Sequence, residues 1–220
     1  MFEYASIDCE TTGLDPGAHE LLEVGVVCDK FDSISGRIGR VSRIVLMREN
    51  IFCSLYCLTL HQRLFEEMQN VRDSEAWANR GGAVLWRRQE MHDLVVETAY
   101  VDMDAENGDE VLADAFMSCF CEMEDFQAGK TITVAGKNPG SLDIPFLEEA
   151  GAFAAKRSEK RVRFRHRVLD PAVLYFDPSS DEELPDLATC KKRAGLSETV
   201  AHTAVSDALD VVQLVRHKLT

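Results

Sequence analysis

The chain has 220 residues, which corresponds to about one to one and a half typical domains. Hydrophobic residues make up 45% and charged residues 28% of the chain, a globular composition that argues against a disordered or fibrous protein. The 38 acidic side chains outnumber the 24 basic ones and give a formal charge of −14. This charge argues against a protein that wraps nucleic acid by bulk electrostatics, but not against an enzyme that grips one strand end.

The N-terminus and the cysteines indicate a cytoplasmic protein. The first residues are acidic where a signal peptide would be basic, and the longest apolar stretch, 51–60, is far shorter than a membrane span of about 20 residues. Seven cysteines without a secretory context predict reduced thiols. The spacings Cys53/Cys57 and Cys119/Cys121 do not match the paired CxxC pattern of a structural zinc site, so buried core thiols are the favoured interpretation.

Strands come first along the chain. Apolar runs separated by turn residues predict strands at 2–7, 21–28 and 40–47. Residues 53–68 begin apolar and become helix-like. Residues 71–108, with weak periodicity, an RGG and two tryptophans, are interpreted as an irregular insertion that contains a short helix.

Helices and strands alternate in the second half. The spacing of apolar residues predicts a helix, a strand, a helix, a strictly alternating strand and two further helices. They cover residues 110–126, 130–135, 143–150, 161–169, 184–194 and 203–219. This order predicts an α/β fold with a mixed sheet, in a single domain over 1–220.

Charge is distributed unevenly. Residues 101–126 carry nine acidic and no basic side chains, whereas residues 156–167 carry seven basic and one acidic. In the alternating strand the arginines share one face; they are Arg161, Arg163, Arg165 and Arg167. Two interpretations stay open: charges that protect a sheet edge from aggregation, and a stripe that contacts phosphates.

Two carboxylates end the first predicted strand. Asp8 and Glu10 are two positions apart and therefore point to the same side. Like charges this close require a cation or a raised pKa, and a hard ion such as Mg²⁺ suits carboxylate oxygens. The same D-x-E spacing starts at Asp73, Asp104 and Asp181, where we expect solvated surface. Only the first follows an apolar strand and precedes a TTGL turn.

Two later segments carry further candidates. Asp207 falls within the apolar arc of the last helix, whereas Asp210 falls outside it; a carboxylate on such a face must be paired or bind metal. His202 precedes this helix in its approach loop, where a solvent-exposed histidine is the alternative. Asp143 starts a helix after a Gly/Pro-rich loop, where a first-turn acid is the alternative.

Together these three elements resemble the DEDDh-type 3′→5′ exonucleases of the RNase H-like superfamily, which include proofreading exonuclease subunits and oligoribonucleases. The first motif is D-x-E-T-x-G-L, the second an Asn followed by an Asp at a helix start, and the third H-x4-D. The matching residues are Asp8, Glu10, Thr11, Gly13 and Leu14, then Asn138, Asp143, Phe146 and Leu147, then His202 and Asp207. Leu142 departs from the aromatic residue frequent before the second aspartate, and 48–108 matches poorly.

The resemblance implies an RNase H-like mixed β-sheet flanked by helices on both faces. It also implies two Mg²⁺ or Mn²⁺ ions suited to in-line displacement at phosphorus, and His202 as the general base. The implied metal ligands are Asp8, Glu10, Asp143 and Asp207, and the implied substrate-binding residues are Thr11, Gly13, Leu14 and Asn138. Leu14 would wedge against the terminal base, and such stacking tolerates any sequence.

Three functions remain in competition at this point. The first is a metal-dependent 3′→5′ exonuclease that releases nucleoside 5′-monophosphates from single-stranded DNA or RNA ends. The second is a catalytically silent exonuclease-like domain that binds a polymerase or nucleic acid, and the third is a generic metal phosphoesterase. A polymerase partner and a homodimer both stay open. Trp77, Trp86 and His61 are interpreted as packing or surface residues without a catalytic role.

Overall fold

The computed structural model describes residues 2–31, 38–91, 94–154 and 161–219. Within these residues one mixed sheet contains β1 (Phe2–Thr11), β2 (Leu21–Phe31), β3 (Val41–Met47), β4 (Val84–Met91), β5 (Leu94–Asp102) and β6 (Val134–Ala135). The strand order is β4-β5-β3-β2-β1-β6. The pairs β1–β2, β2–β3 and β4–β5 are antiparallel, whereas β3–β5 and β1–β6 are parallel.

Helices fill most of the connections. They are α1 (Leu55–Leu60), α2 (Gln62–Arg72), α3 (Glu75–Ala78), α4 (Gly108–Ser118), α5 (Glu124–Gln127), α6 (Asp143–Glu149), α7 (Pro171–Leu174), α8 (Leu187–Arg193) and α9 (Ala204–Leu219). The predicted mixed sheet with flanking helices is therefore confirmed. None of the helices in the described ranges is long and apolar enough to cross a membrane.

The period of two along β1 assigns its residues to two cores. Ile7 and Cys9 lie in one core with Phe116 of α4, whereas Tyr4 lies in another with Val212 of α9. Burial of each such apolar side chain contributes about 1.5–3 kcal/mol. The even-numbered positions of β1, and hence Asp8 and Glu10, belong to the face that α9 covers.

The structure corrects the prediction for 71–108. The expected short helix is present as α3, but the rest is not irregular, because β4 and β5 extend the central sheet. The prediction failed because β4 is an edge strand with mostly half-buried or exposed residues on both faces. Such a strand has no alternation of apolar and polar residues for a pattern to detect.

Two other predicted elements differ in extent. The helix expected over 110–126 is interrupted, and α4 and α5 are separate. The alternating strand over 161–169 is reduced to two isolated bridges, Ile132–Phe164 and Ala135–Leu169. The second half of this segment bends at 166–167, so it forms an irregular edge beside β6.

Candidate active site

The first two carboxylates are placed by the centre of the sheet. In the β1–β2 register Asp8 lies opposite Gly25, and Glu10 lies opposite Glu23. A register shift between Glu10 and Thr11 ends the regular pairing, which is the usual effect of a β-bulge. Both carboxylates therefore stand at the end of β1, on the side that faces α9.

Gly25 allows the start of α9 to approach the sheet. A Cβ atom at this position would lie 2.3 Å from the backbone carbonyl of Ala204, far inside van der Waals contact. The close approach brings Asp207, in the first turn of α9, towards Asp8. As its place in the apolar arc predicts, Asp207 is buried, with 6% of its surface exposed.

Three carboxylates converge at this point. One oxygen each from Asp8, Glu10 and Asp207 can be chosen so that all lie within 4.8 Å of one another. Asp143, the first residue of α6, is buried and lies close enough to raise the pKa of Asp8, while hydrogen bonds with Cys9 hold its carboxylate. The sequence motifs are thus brought together as three clustered carboxylates and a fourth beside them.

Burial and mutual repulsion raise the pKa of every carboxyl group in this cluster. Burial is the main cause throughout, and it raises the pKa of Glu10 to about 8, of Asp143 to about 7 and of Asp207 to about 6. For Asp8 the pKa is raised well above the usual range by burial, followed by the charges of Asp143 and Glu10. Oδ1 of Asp207 is buried and has no hydrogen-bond partner among the described residues. Clustered hard oxygens with an unsatisfied atom fit a divalent cation.

His202 lies in the loop before α9. It is exposed, with φ of 51°, a left-handed conformation that is uncommon outside glycine, asparagine, aspartate and histidine. Its charge lowers the pKa of Asp207, so the two residues are neighbours although they lie outside a common helix. The predicted position in the approach loop is confirmed.

The turn after β1 presents Leu14 to solvent. The Thr11 hydroxyl donates to the Gly13 carbonyl over 2.6 Å, and a Cβ at Gly13 would collide with the His19 ring. Leu14 is 81% exposed. The turn is therefore fixed by its own hydrogen bond and by tight packing, while its leucine side chain projects outward.

Asn138 lies in the loop that leads to α6. Its φ is 56°, and its backbone N–H donates to Oδ2 of Asp170 over 2.9 Å. Asp170 also caps α7 by accepting from the Ala172 N–H. Asp170 is therefore a structural residue that holds the loop before Asp143.

Comparison with known proteins supports the fold assignment. Escherichia coli exonuclease I in complex with a dT13 oligonucleotide superposes with a TM-score of 0.55 and 14% sequence identity, covering 98% of this chain and 40% of that chain. The zinc-bound form of its single-stranded DNA complex gives 0.57 and 14%, with the same coverage. The chain has the fold of exonuclease I. The RNase H-like mixed sheet, and the resemblance to DEDDh exonucleases at the level of the fold, are thereby confirmed.

Sequence comparisons reach less of the chain. No protein-family model matches it. A 93-residue segment is 34% identical to a subunit of an ATP-dependent helicase/nuclease from Bacillus cereus, covering 38% of this chain and 7% of that protein. The chain spans about two fifths of the exonuclease I chains and a small part of this relative.

Two buried residues next to Glu10 escaped the sequence analysis. Nδ1 of His61 lies 3.6 Å from the Glu10 carboxylate and has no hydrogen-bond partner in the described part of the chain; burial, followed by the charge of His202, lowers the pKa of His61. Glu23 is 1% exposed and pairs with Arg43. An acidic residue within an otherwise apolar predicted strand was the available signal for Glu23. No comparable signal marked His61, because its contact with Glu10 is tertiary.

Helix α1 packs against the first motif and exposes apolar side chains. The thiol of Cys57 contacts the Thr11 carbonyl oxygen at 3.8 Å. Leu55 and Tyr56 are 79% and 76% exposed, and Phe52, just before the helix, is 83% exposed. These three residues form an apolar surface on the helix that borders the carboxylate strand.

The raised pKa values predict how stability depends on pH. Glu10, Asp143 and Asp207 bind protons more tightly in the folded state than in the unfolded state, where carboxyl groups titrate near pH 4. The unfolded state therefore releases protons first, and the free energy of unfolding falls as the pH rises from about 4 to about 8. We expect the melting temperature in EDTA to fall across this range, and saturating Mg²⁺ to flatten the profile. A melting temperature that rises from pH 5 to pH 8 in EDTA would contradict this account.

Proposed function

We propose that the chain is a metal-dependent 3′→5′ exonuclease that acts on single-stranded nucleic acid and releases nucleoside 5′-monophosphates. The observation that carries the proposal is the convergence of Asp8, Glu10 and Asp207, with Asp143 beside them, in a buried cluster. The fold shared with exonuclease I, whose structures include complexes with single-stranded oligonucleotides, supports it.

The carboxylates of Asp8, Glu10, Asp143 and Asp207 would hold two Mg²⁺ or Mn²⁺ ions. When bound, such ions neutralise the cluster and polarise the phosphate and the attacking water. Asp207 and Asp143 arrive on separate helices, α9 and α6, so metal binding would couple both helices to β1.

His202 would remove the proton from the attacking water. Its exposure and its place beside Asp207 leave the imidazole open to water and substrate. A histidine base is suited to work near neutral pH. His61 does not fit this role, because it is buried against Glu10.

The terminal nucleotide would bind at the turn after β1. Backbone groups of Thr11 and Gly13, with the loop residue Asn138, would position it, and Leu14 would pack against its base. A base can stack on an apolar side chain whatever its identity. This arrangement is compatible with both DNA and RNA.

The direct test is digestion of 5′-labelled single-stranded DNA and RNA in Mg²⁺, Mn²⁺ or EDTA. We expect a one-nucleotide ladder that starts at the 3′ end and is absent in EDTA. A strand blocked by a 3′-phosphate and a nitrophenyl phosphodiester are the controls. Equal turnover of the blocked strand and the small ester would identify a generic phosphoesterase, whereas no cleavage by folded, metal-loaded protein would identify a silent binding domain.

Leu14→Ser tests the stacking contact. Loss of one base contact of about 1–3 kcal/mol raises KM for a single strand by about tenfold or more, whereas kcat at saturation stays near wild type because the carboxylates are intact. Leu184→Ser, a second exposed leucine, is the matched control and leaves KM unchanged. An unaltered KM for Leu14→Ser would remove Leu14 from the substrate site.

A further inference from the structure

A groove lies between α6 and the irregular edge formed by residues 161–168. Its volume is about 960 Å³, and it does not include the carboxylate cluster. Ile144, Phe153 and Phe164 contribute apolar walls. The groove is also lined by basic residues; these are Arg161, Arg163, Arg165 and His166.

The arginines of the groove lack the ion pairs that other arginines make. Within the described ranges, no carboxylate lies within salt-bridge distance of Arg161 or Arg165, and their side chains make no hydrogen bonds. By contrast, Arg43 and Arg193 are each paired with a carboxylate, in a chain with 38 acidic residues. Two exposed, unpaired guanidinium groups on so acidic a protein create a local anion-binding surface.

The apolar part of the groove contains aromatic rings. Phe153 and Phe164 pack edge to face with centroids 5.6 Å apart, and both remain half-buried. Protection of the sheet edge would account for arginines beside the Ile132–Phe164 bridge, but it does not require an aromatic groove beneath them. Arginines above aromatic rings match the phosphates and bases of a single strand.

Helix α6 separates this groove from the carboxylates. Ile144 and Glu148 line the groove, whereas Asp143 and Phe146 are buried on the other side of the helix. Glu148 is the acidic residue on the groove wall in the described part of the chain. The groove and the carboxylate cluster are therefore neighbours across one short helix.

We propose that this groove binds single-stranded nucleic acid upstream of the 3′ end, with Arg161 and Arg165 on phosphates and the aromatic wall against bases. The inference rests on the proposed function for the identity of the strand. It assigns a second contact to the substrate, remote from the residues that would perform hydrolysis. Long strands would use both regions, whereas a trinucleotide would reach only the carboxylates.

The test compares Arg161→Gln/Arg165→Gln with Arg88→Gln/Lys192→Gln, which removes the same charge elsewhere. Binding of a long, 3′-blocked oligothymidylate is measured by fluorescence anisotropy in EDTA, so that no hydrolysis is needed. We expect the groove variant to bind about tenfold more weakly and its salt dependence, log K against log salt, to be shallower by about 1.4, because each phosphate contact on a single strand contributes about 0.7. The control variant keeps wild-type binding.

The outcomes separate this inference from the proposed function. Weaker binding of long strands by the groove variant, with unchanged hydrolysis of a trinucleotide, supports the groove. Unchanged binding, or equal loss in the control variant, overturns it even if the enzyme is an exonuclease. Aggregation of the groove variant with wild-type DNA affinity would assign the arginines to edge protection, and polyglutamate competing as well as DNA would overturn recognition of a nucleic acid. Absence of any nuclease activity would refute the proposed function without deciding the binding result.

Discussion

Replacement of Asp8 by asparagine is expected to lower kcat by at least about 10³-fold, because a bound metal supplies several kcal/mol of transition-state stabilisation. The same change is expected to raise the melting temperature of the metal-free protein at pH 8. Asp8 is the carboxyl group on which burial and the charges of Asp143 and Glu10 act together. Removing its charge relieves repulsion that only a cation would otherwise offset.

Opposite signs for activity and stability distinguish this effect from ordinary damage to the core. Glu106→Gln, in another D-x-E sequence on an exposed surface, is the control and leaves both quantities unchanged. Calorimetry in EDTA and in Mg²⁺ measures the stability arm. A lower melting temperature for Asp8→Asn in EDTA at pH 8 would refute the electrostatic account, and retained activity would refute the metal-ligand assignment.

His202→Asn is expected to lower kcat by about 10²-fold or more while metal affinity and KM stay near wild type, as for loss of a general base. Asparagine is the informative substitution because φ at this position is 51°, a conformation that asparagine tolerates. A comparison with His202→Ala separates loss of the imidazole from strain in the loop.

The pH profile provides the second measurement for this residue. Loss of a base should remove the limb of the kcat profile on which activity rises with pH, whereas a purely structural role would scale the whole profile. His217→Asn, an exposed histidine on α9 that stacks on Tyr175, is the control. Wild-type kcat in His202→Asn would remove His202 from the mechanism.

Local patterns were sufficient for much of the fold and for most of the candidate site. The placement of Asp207 followed from its position in an apolar helical arc, and that of Asp8 and Glu10 from the period of two along a strand. Each inference needed only neighbours in sequence. The buried start of α9 and the carboxylates at the end of β1 agree with both.

Features that depend on pairing between distant segments were not predictable in this way. Strand β4 belongs to the sheet because it pairs with β5, not because its own sequence alternates. His61 borders Glu10 because α1 and α2 fold back over β1, and no spacing in the sequence records that contact. The groove walls likewise come from α6 and an edge that is bridged to Ile132.

The position of Gly25 opposite Asp8, with the start of α9 against it, also orders events during synthesis. Asp8 leaves the ribosome early, whereas Asp207 belongs to the last described helix, and N-terminal parts of a chain emerge first. The carboxylate cluster therefore cannot assemble until nearly all of the described chain has been made. Unfinished chains would hold an acidic strand without its partner helix, so they would be unable to attack the message from which they are translated.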